Sequence, residues 1–408
     1  MHRAQVIRYG LLGLPLAFGA LPVYLFVPDL YARSGLLGLS VIGLVLMLTR
    51  LLDALADPFF GWVVDRQPRR RILWLALVPF MVGFATLFSP MLMGGIDASV
   101  WLFISLALCT LGFSAAMIAY QAWGGDLGVN TQERLQLTGS REAFILAGVV
   151  IAAVIPTAVS SDPLVGMSAL PGWLLVLLVI ALMLCWRLPV GEQVVTRESL
   201  SSRLRLAWAD KSFCRLLAVF FANGIASSFP ATLFIFYVAD VLAAPEKTGL
   251  LLGSYFLAAA LAVPFWVRCS QRWGRPAMWM LAMVLAMGSF VSAAFLGDGD
   301  WLWFLIICLV SGIAVGTDLT LPASMVADLG ERHQSTGTYF GIWNLIAKLN
   351  LALAAGIALP LLGVFGYTPG SGEQHHVLVA AYVLLPLGLK AIALLLLYRW
   401  RKVLTINV

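Results

Sequence analysis

Charged residues are scarce in this chain, and residues typical of catalytic or metal centres are scarcer still. Only 11% of the 408 residues are charged, whereas 61% are hydrophobic, which excludes an ordinary soluble domain. The five cysteines contain no CxxC pair, so neither a zinc site nor a disulfide framework is indicated. The four histidines are terminal or in loops at the ends of apolar runs, and no HExxH or GxSxG pattern occurs. The sequence therefore predicts no enzyme, no metal site and no cofactor.

Long apolar runs make up most of the sequence. Each run is close to the roughly 20 residues that a helix needs to cross a bilayer. The runs cover residues 9–28, 37–64, 71–91, 99–123, 142–160, 170–188, 213–240, 247–267, 277–296, 301–326, 338–365 and 376–398. We therefore predict an all-α membrane protein with 12 transmembrane helices, the first of which is retained rather than cleaved as a signal.

Basic residues between the runs fall almost entirely on one side of the predicted membrane. If the N-terminus is cytoplasmic, the opposite side keeps only Arg33 and Lys247. The positive-inside rule then predicts that both termini are cytoplasmic, in the cytoplasmic (inner) membrane. The net charge of +6 is spread over short clusters between apolar runs, so we expect no nucleic-acid partner.

The longest polar linker divides the chain into two sets of six predicted helices. We assign residues 1–190 to an N-terminal six-helix bundle, residues 191–212 to a cytoplasmic linker and residues 213–408 to a C-terminal six-helix bundle. A weak internal repeat supports two related halves, because Asp126-Leu127 follows the fourth predicted helix and Asp328-Leu329 follows the tenth. Many secondary transporters consist of repeated halves with a site at their interface.

Two carboxylates lie four residues apart within the second apolar run. Residues three and four apart share a helix face, so Arg50, Asp53 and Asp57 form one charged stripe. By insertion scales each charge at bilayer depth costs roughly 2.5 to 3.5 kcal/mol, and such residues normally face a bundle interior or a water-filled path. We interpret the stripe as a site for Na⁺ or H⁺. The alternative is that both acids only neutralise Arg50 and a basic residue on another helix.

The same stretch resembles a known family. Residues 50–58, RLLDALADP, match the R-x-x-D-A-x-x-D-P signature of the glycoside-pentoside-hexuronide:cation symporters, the melibiose-permease-like group of the major facilitator superfamily. Gly61, Asp65 and Arg66 resemble the superfamily's G-x-x-x-D-R loop, which would act as a gating loop. The resemblance implies the major facilitator fold and a secondary active symporter. Such a symporter would move a small organic solute, such as a sugar or glycoside, with Na⁺ or H⁺ by alternating access.

The resemblance also implies roles for individual residues. Asp53 and Asp57 would bind the coupling cation together with Ser114, and Arg50 and Lys348 would be coupling or ion-pair residues. Further residues would line a substrate cavity, although simple packing is the alternative for the large apolar ones. These candidate cavity residues are Met117, Tyr120, Trp123, Arg141, Asp318 and Asn344.

The chain departs from the sugar-binding members of that family. Their acids in helices one and four are missing, because helix one has no ionisable residue between Arg8 and Asp29 and the helix-four position reads approximately Met117. A carrier of lipids, lysophospholipids or other amphiphiles with the same fold therefore stays open as the alternative function. Asp318 either faces substrate or only neutralises Lys390. We expect a monomer whose partners are a small-molecule substrate and membrane lipids.

Overall fold

The structure, a computed structural model, describes residues 2–33, 35–160, 163–189, 198–365, 367 and 375–406. The described residues form α-helices joined by short turns, and they contain no β-strand. The chain divides into two compact units. The first comprises Met1–Arg205 and Val326–Leu345, and the second comprises Leu206–Met325 and Ile346–Val408.

The first unit contains the helices of the N-terminal part of the chain. These are α1 (Arg3–Leu11), α2 (Gly13–Leu25), α3 (Val27–Arg33), α4 (Leu39–Arg66), α5 (Arg69–Leu87), α6 (Ala98–Leu127), α7 (Thr131–Val159), α8 (Pro163–Ser168) and α9 (Leu170–Cys185). Three further helices enter this unit with part of their length: α10 (Leu200–Ala209), α14 (Trp301–Arg332) and α15 (Thr336–Val364). The end of α14 and the beginning of α15 therefore pack with the N-terminal helices.

The second unit contains the remaining parts of α10, α14 and α15 and five more helices. These are α11 (Lys211–Phe236), α12 (Thr248–Trp273), α13 (Arg275–Val291), α16 (His375–Val379) and α17 (Leu385–Ile406). Its core holds stacked aromatic rings, with 4.2 Å between the ring centroids of Tyr237 and Tyr382 and 5.0 Å between those of Tyr237 and Phe304. Such contacts add specific geometry to apolar burial.

The number of membrane-crossing helices agrees with the sequence. Among the described residues, eleven helical segments are long and apolar enough to span a bilayer. Helix α4 is not one of the eleven, and it carries Arg50, Asp53 and Asp57 in its middle. With α4 included, the helical segments correspond one for one to the twelve predicted runs.

Several helices continue beyond the apolar runs from which they were predicted. Helix α7 begins at Thr131, whereas the run that predicted it begins at residue 142. The Asn130 side chain accepts a hydrogen bond from the Glu133 backbone N–H at 2.9 Å, and the Glu133 carboxylate accepts one from the Val129 N–H at 3.1 Å. This reciprocal capping starts the helix in polar sequence. Glu133 and Arg134 therefore lie inside α7.

The predicted linker is helical over much of its described part. Residues 190–197 lie outside the described residues, so the structure describes the predicted linker only from residue 198 onward. Helix α10 (Leu200–Ala209) occupies most of the remainder. Asp210 then caps α11 by accepting hydrogen bonds from the backbone N–H groups of Ser212 at 2.9 Å and Phe213 at 3.2 Å. The assignment of two separate six-helix bundles stays a prediction.

Candidate functional site

Helix α4 presents two buried carboxylates on one face. Asp53 is 3% exposed and Asp57 is fully buried one turn further along the helix. The Ser114 hydroxyl of α6 donates a hydrogen bond to Asp53 Oδ1 at 2.6 Å. The structure thus places a hydroxyl of α6 against Asp53, one turn of α4 away from the buried Asp57. We name Asp53, Asp57 and Ser114 the acid site.

The start of α15 closes tightly over the same stretch of α4. Gly341 lies so close to α4 that a Cβ atom placed on it would be 2.5 Å from the Asp57 carbonyl oxygen. A Cβ on Gly337 would likewise be 2.5 Å from the Gly61 carbonyl oxygen. Small residues four apart permit such close backbone approach between membrane helices. Glycine at these positions therefore sets the distance between α15 and the acid site.

Asp65 lies one turn of α4 beyond Gly61 and contacts the N-terminus of α15. Its carboxylate accepts hydrogen bonds from the Gly337 N–H at 2.7 Å, the Thr338 N–H at 2.8 Å and the Thr338 hydroxyl at 2.6 Å. The first N–H groups of a helix lack intrahelical partners and attract negative charge. We name Asp65, Gly337 and Thr338 the latch. Arg66 ends α4 beside it.

A network of charged side chains surrounds the latch. Arg69 lies 3.6 Å from Asp65, donates to the Ala122 carbonyl at 2.8 Å and pairs with Asp126. Arg69 and Asp65 are almost completely buried. Buried charges are tolerated when they are paired and hydrogen-bonded. The network therefore ties α4, α5 and α6 together at the end where α15 begins.

A second arginine ties the end of α14 to α6. Arg134 lies 3.1 Å from the Asp328 carboxylate and 3.8 Å from Glu331, and its Nε donates to the Gly125 carbonyl at 3.1 Å. The sequence identified Asp328 only as part of a weak internal repeat. It did not indicate that Arg134 and Asp328 would pair.

The linker helix adds a third arginine at this end. Arg203 of α10 donates to the carbonyls of His333 at 3.2 Å and Gln334 at 3.1 Å, and it also contacts the Ser335 hydroxyl. Gln334 adopts a φ of 50°, which is uncommon for a residue other than glycine. Arg203 thus holds the turn that joins α14 to α15.

The predicted coupling residues outside the acid site lie in different surroundings. Arg50 is exposed on α4, and Lys348 is half-buried on the part of α15 that belongs to the second unit.

The large candidate cavity residues are packed in this structure. Tyr120 and Trp123 are fully buried, and Arg141 is 1% exposed. The Tyr9 hydroxyl donates to the Tyr120 carbonyl at 2.9 Å, while the Tyr120 hydroxyl donates to the carbonyl oxygens of Tyr9 at 2.5 Å and Gly10 at 3.2 Å. These reciprocal bonds hold the two helices together at that point.

Two polar residues of this region were missed in the sequence. Glu142 accepts two hydrogen bonds from Arg141, at 3.0 and 2.7 Å, and is buried with it. The sequence signal for Glu142 was its position as the first residue of the predicted run 142–160. Gln121 accepts a hydrogen bond from the Asn344 amide at 2.9 Å. The candidate cavity residue Met117 is half-buried.

The second unit contains a separate intramembrane ion pair. The Lys390 ammonium lies 3.3 Å from Asp318 Oδ2 and 3.3 Å from the Ser227 hydroxyl oxygen. Asp318 Oδ1 accepts a hydrogen bond from the Trp279 indole at 2.7 Å. Asp318 is therefore paired with Lys390, and its role towards substrate stays a prediction.

Comparison with known proteins identifies the family. A protein-family profile described as MFS/sugar transport protein matches residues 7–401. The uncharacterized symporter YnaJ of Bacillus subtilis (strain 168) is 24% identical, with 93% of this chain and 87% of YnaJ covered. The uncharacterized symporter YjmB of the same strain is 22% identical, with 87% of this chain and 80% of YjmB covered.

Solved structures share the fold at low sequence identity. A bacterial homologue of the iron transporter ferroportin in its outward-facing state has a TM-score of 0.76 and 18% identity, covering 98% of this chain and all of the other. The major facilitator transporter FucP in its outward conformation has a TM-score of 0.73 and 14% identity, covering 97% of this chain and 99% of the other.

These findings confirm the predicted all-α major facilitator fold and the family resemblance drawn from residues 50–58. The matched proteins are transporters, so the chain is a multi-pass membrane transporter and not an enzyme. With a match over nearly its entire length, the chain belongs to the MFS/sugar transport protein family.

Proposed function

We propose that this transporter is a secondary active symporter that carries a small organic solute, such as a sugar or glycoside, together with Na⁺ or H⁺. The single observation that supports coupling best is the acid site, with two buried carboxylates one turn apart and a hydroxyl at 2.6 Å from one of them. The protein acts as a monomer in the cytoplasmic membrane with both termini cytoplasmic, and it uses no cofactor.

The physical reason for coupling is the repulsion between two buried carboxylates. Asp53 and Asp57 share a helix face, and two acids this close cannot both be ionised cheaply away from water. A cation or a proton between them lowers that energy. Carboxylate and hydroxyl oxygens are suitable ligands for a hard cation such as Na⁺. Cation binding would then favour the conformation in which the acid site is formed.

Alternating access requires contacts that break and re-form as the transporter changes state. The latch supplies such contacts, because one carboxylate on α4 receives the first amides of α15. The two helices also touch at Gly341 beside Asp57. We propose that the latch closes the end predicted to be cytoplasmic and opens when α15 moves away from α4.

A thermal-unfolding titration tests the coupling proposal. Purified protein is titrated with NaCl or choline chloride at matched ionic strength, at pH 6 and pH 8. A cation that binds only the folded state stabilises it by RT ln(1 + [L]/Kd), or about 2.7 kcal/mol at one hundred times Kd. Na⁺-specific stabilisation that is larger at pH 8 supports a sodium site that competes with protons.

Two variants make this titration decisive. Asp57→Asn removes a carboxylate of the acid site, and Asp97→Asn removes one that caps α6 outside it. We expect the Na⁺ response to be lost in the first variant and retained in the second. If Na⁺ has no effect, substrate-driven proton uptake in vesicles tests H⁺ coupling. An Asp57→Asn variant with wild-type coupled transport would refute the acid site.

One observation favours the alternative function of an amphiphile carrier. An apolar pocket of about 330 Å³ lies between α4, α5 and α6 of the first unit. Its lining includes Phe60, Pro79, Phe103, Ile104, Leu108 and Leu111. An apolar lining of this kind suits an acyl chain. Stabilisation of the purified protein by lysophosphatidylcholine but not by a sugar panel would support this function, and Leu111→Ser would be expected to weaken it.

A further inference from the structure

The ion pair of the second unit lies near the middle of two long apolar helical segments. Asp318 is near the middle of the 32-residue helix α14, and Lys390 is near the middle of the 29-residue span His376–Leu404. At 1.5 Å per residue, both lie about 20 Å from the ends of their spans. Charged groups at this depth are costly and usually functional.

The two members of this pair are held unequally. Asp318 is fixed by the fully buried Trp279, whose indole N–H donates at 2.7 Å. Lys390 has three N–H donors but only two contacts in the described part of the chain, both at 3.3 Å. Charge-assisted N–H to O bonds are typically 2.7–2.9 Å. Asp318 therefore has a second donor besides Lys390, whereas the three-donor ammonium of Lys390 can serve a further acceptor.

The Ser227 hydroxyl is a second donor at the same point. Serines within helices commonly donate to the carbonyl four residues earlier, and the neighbouring Ser228 does so, to Gly224 at 2.8 Å. Within the described residues, Ser227 makes no such bond, and its oxygen faces Lys390 instead. Its proton is consequently available to an acceptor. The side chains of Lys390 and Asp318 are each 12% exposed, so the pair is not sealed from its surroundings.

We propose that Lys390 and Ser227 form an anion site that binds the carboxylate group of a small organic substrate. The inference rests on the proposed transport function and names the charge of its substrate. An ammonium N–H and a hydroxyl side by side offer donors to a group that has only acceptors, which is the property of a carboxylate. A cation or a neutral apolar group would leave both donors unused.

Asp318 acts as the internal counter-ion of this site when no substrate is bound. An isolated ammonium at this depth would be strongly disfavoured, and a carboxylate 3.3 Å away compensates its charge. A substrate carboxylate competes with Asp318 for Lys390 and leaves Asp318 on Trp279. Binding then adds one negative charge to the membrane interior, which a coupling cation at the acid site would balance.

The experiment compares gluconate with sorbitol, which differ by one carboxylate in place of a CH₂OH group. Thermal unfolding of the purified full-length protein is followed in millimolar sodium gluconate, in sodium chloride at equal Na⁺, and in sodium chloride plus sorbitol. We expect gluconate to raise the unfolding temperature over chloride and sorbitol to have no such effect. Absence of a gluconate effect in the wild-type protein overturns the proposal.

Four variants locate the effect. Asp318→Asn with Lys390→Met removes both charges, so no buried charge is left unpaired, and we expect it to fold and to lose the gluconate response. Asp318→Asn alone removes the competing carboxylate, so gluconate should bind more tightly than in the wild-type protein. Ser227→Ala should weaken gluconate binding at least about tenfold, the effect of one charge-assisted hydrogen bond. Ser228→Ala is the matched control and should behave as wild type.

Two results separate this site from the acid site. The response to Na⁺ is measured with chloride salts, so it reports on the acid site without gluconate. A gluconate response that survives in the doubly neutralised variant overturns the anion site, even if the Na⁺ response is normal. A wild-type protein with a gluconate response but with neither a Na⁺ response nor substrate-driven proton uptake overturns the coupling proposal and leaves the anion site standing.

Discussion

The latch gives a quantitative prediction for Asp65→Asn. In the wild-type protein, one Asp65 oxygen accepts the Gly337 N–H and the other accepts the N–H and the hydroxyl of Thr338. Asparagine keeps one oxygen and replaces the other with an amino group. In its best orientation, the oxygen faces Thr338 and the amino group opposes the Gly337 N–H. At least one charge-assisted hydrogen bond is lost, and a donor then faces a donor.

The magnitude follows from these contacts. A hydrogen bond to a charged group contributes about 1.5–3 kcal/mol, and a carboxylate at a helix N-terminus contributes about 0.3–1 kcal/mol more. The substitution should therefore destabilise the latch by about 2–4 kcal/mol. Since 1.4 kcal/mol corresponds to a factor of ten, the opening equilibrium should rise roughly 30-fold to 700-fold.

Amide hydrogen exchange measures this opening directly. The N–H groups of Gly337 and Thr338 exchange only when they leave Asp65, so their exchange rates follow the opening equilibrium. We expect both amides to exchange at least roughly 30-fold faster in Asp65→Asn. Asp97→Asn, which removes an N-cap of α6, serves as the control and should leave them unchanged. Unchanged protection of both amides in Asp65→Asn would refute the reasoning.

Three further predictions follow from the first unit. Ser114→Ala removes the 2.6 Å bond to Asp53 and should change the midpoint of the cation titration about tenfold; an unchanged midpoint would place the hydroxyl outside the site. Gly341→Leu should lower the free energy of unfolding by about 1–3 kcal/mol through overpacking, whereas Gly356→Leu, which has open space around it, should not. Arg134→Ala should cost about 1.5–3 kcal/mol in denaturant unfolding, because it removes a charge-assisted hydrogen bond to Asp328; a cost below about 1 kcal/mol would contradict that estimate.

The sequence predicted the helices well because bilayer thickness imposes their length. It predicted their ends poorly. Helix α7 extends eleven residues before the start of its apolar run, from residue 142 back to Thr131, because hydrogen bonds and the Asn130 cap continue the helix in polar sequence. Hydropathy is not sensitive to such caps.

The sequence revealed the spacing of site residues that lie on one helix, but it did not reveal which residues on distant helices contact each other. The i, i+4 relation of Asp53 and Asp57 follows from helix periodicity alone. The contact of Asp65 with Gly337 joins residues 272 positions apart, and nothing near Asp65 in the sequence points to that partner. The pairing of Asp318 with Lys390 was one of two alternatives, since charge compensation limits the partners of an intramembrane acid.

The positions of the acid site and the latch on one helix suggest how they communicate. Asp57 and Asp65 are eight positions apart on the continuous helix α4, a rise of about 12 Å at 1.5 Å per residue. The facing stretch of α15 touches α4 at both places, through Gly341 at Asp57 and through Gly337 beside Asp65. A movement of α15 that opens the latch must therefore also disturb the packing at the Asp57 carbonyl. A cation that holds Asp57 in place would oppose that movement, so we expect Na⁺ to slow exchange of the Gly337 amide in the wild-type protein but not in Asp57→Asn.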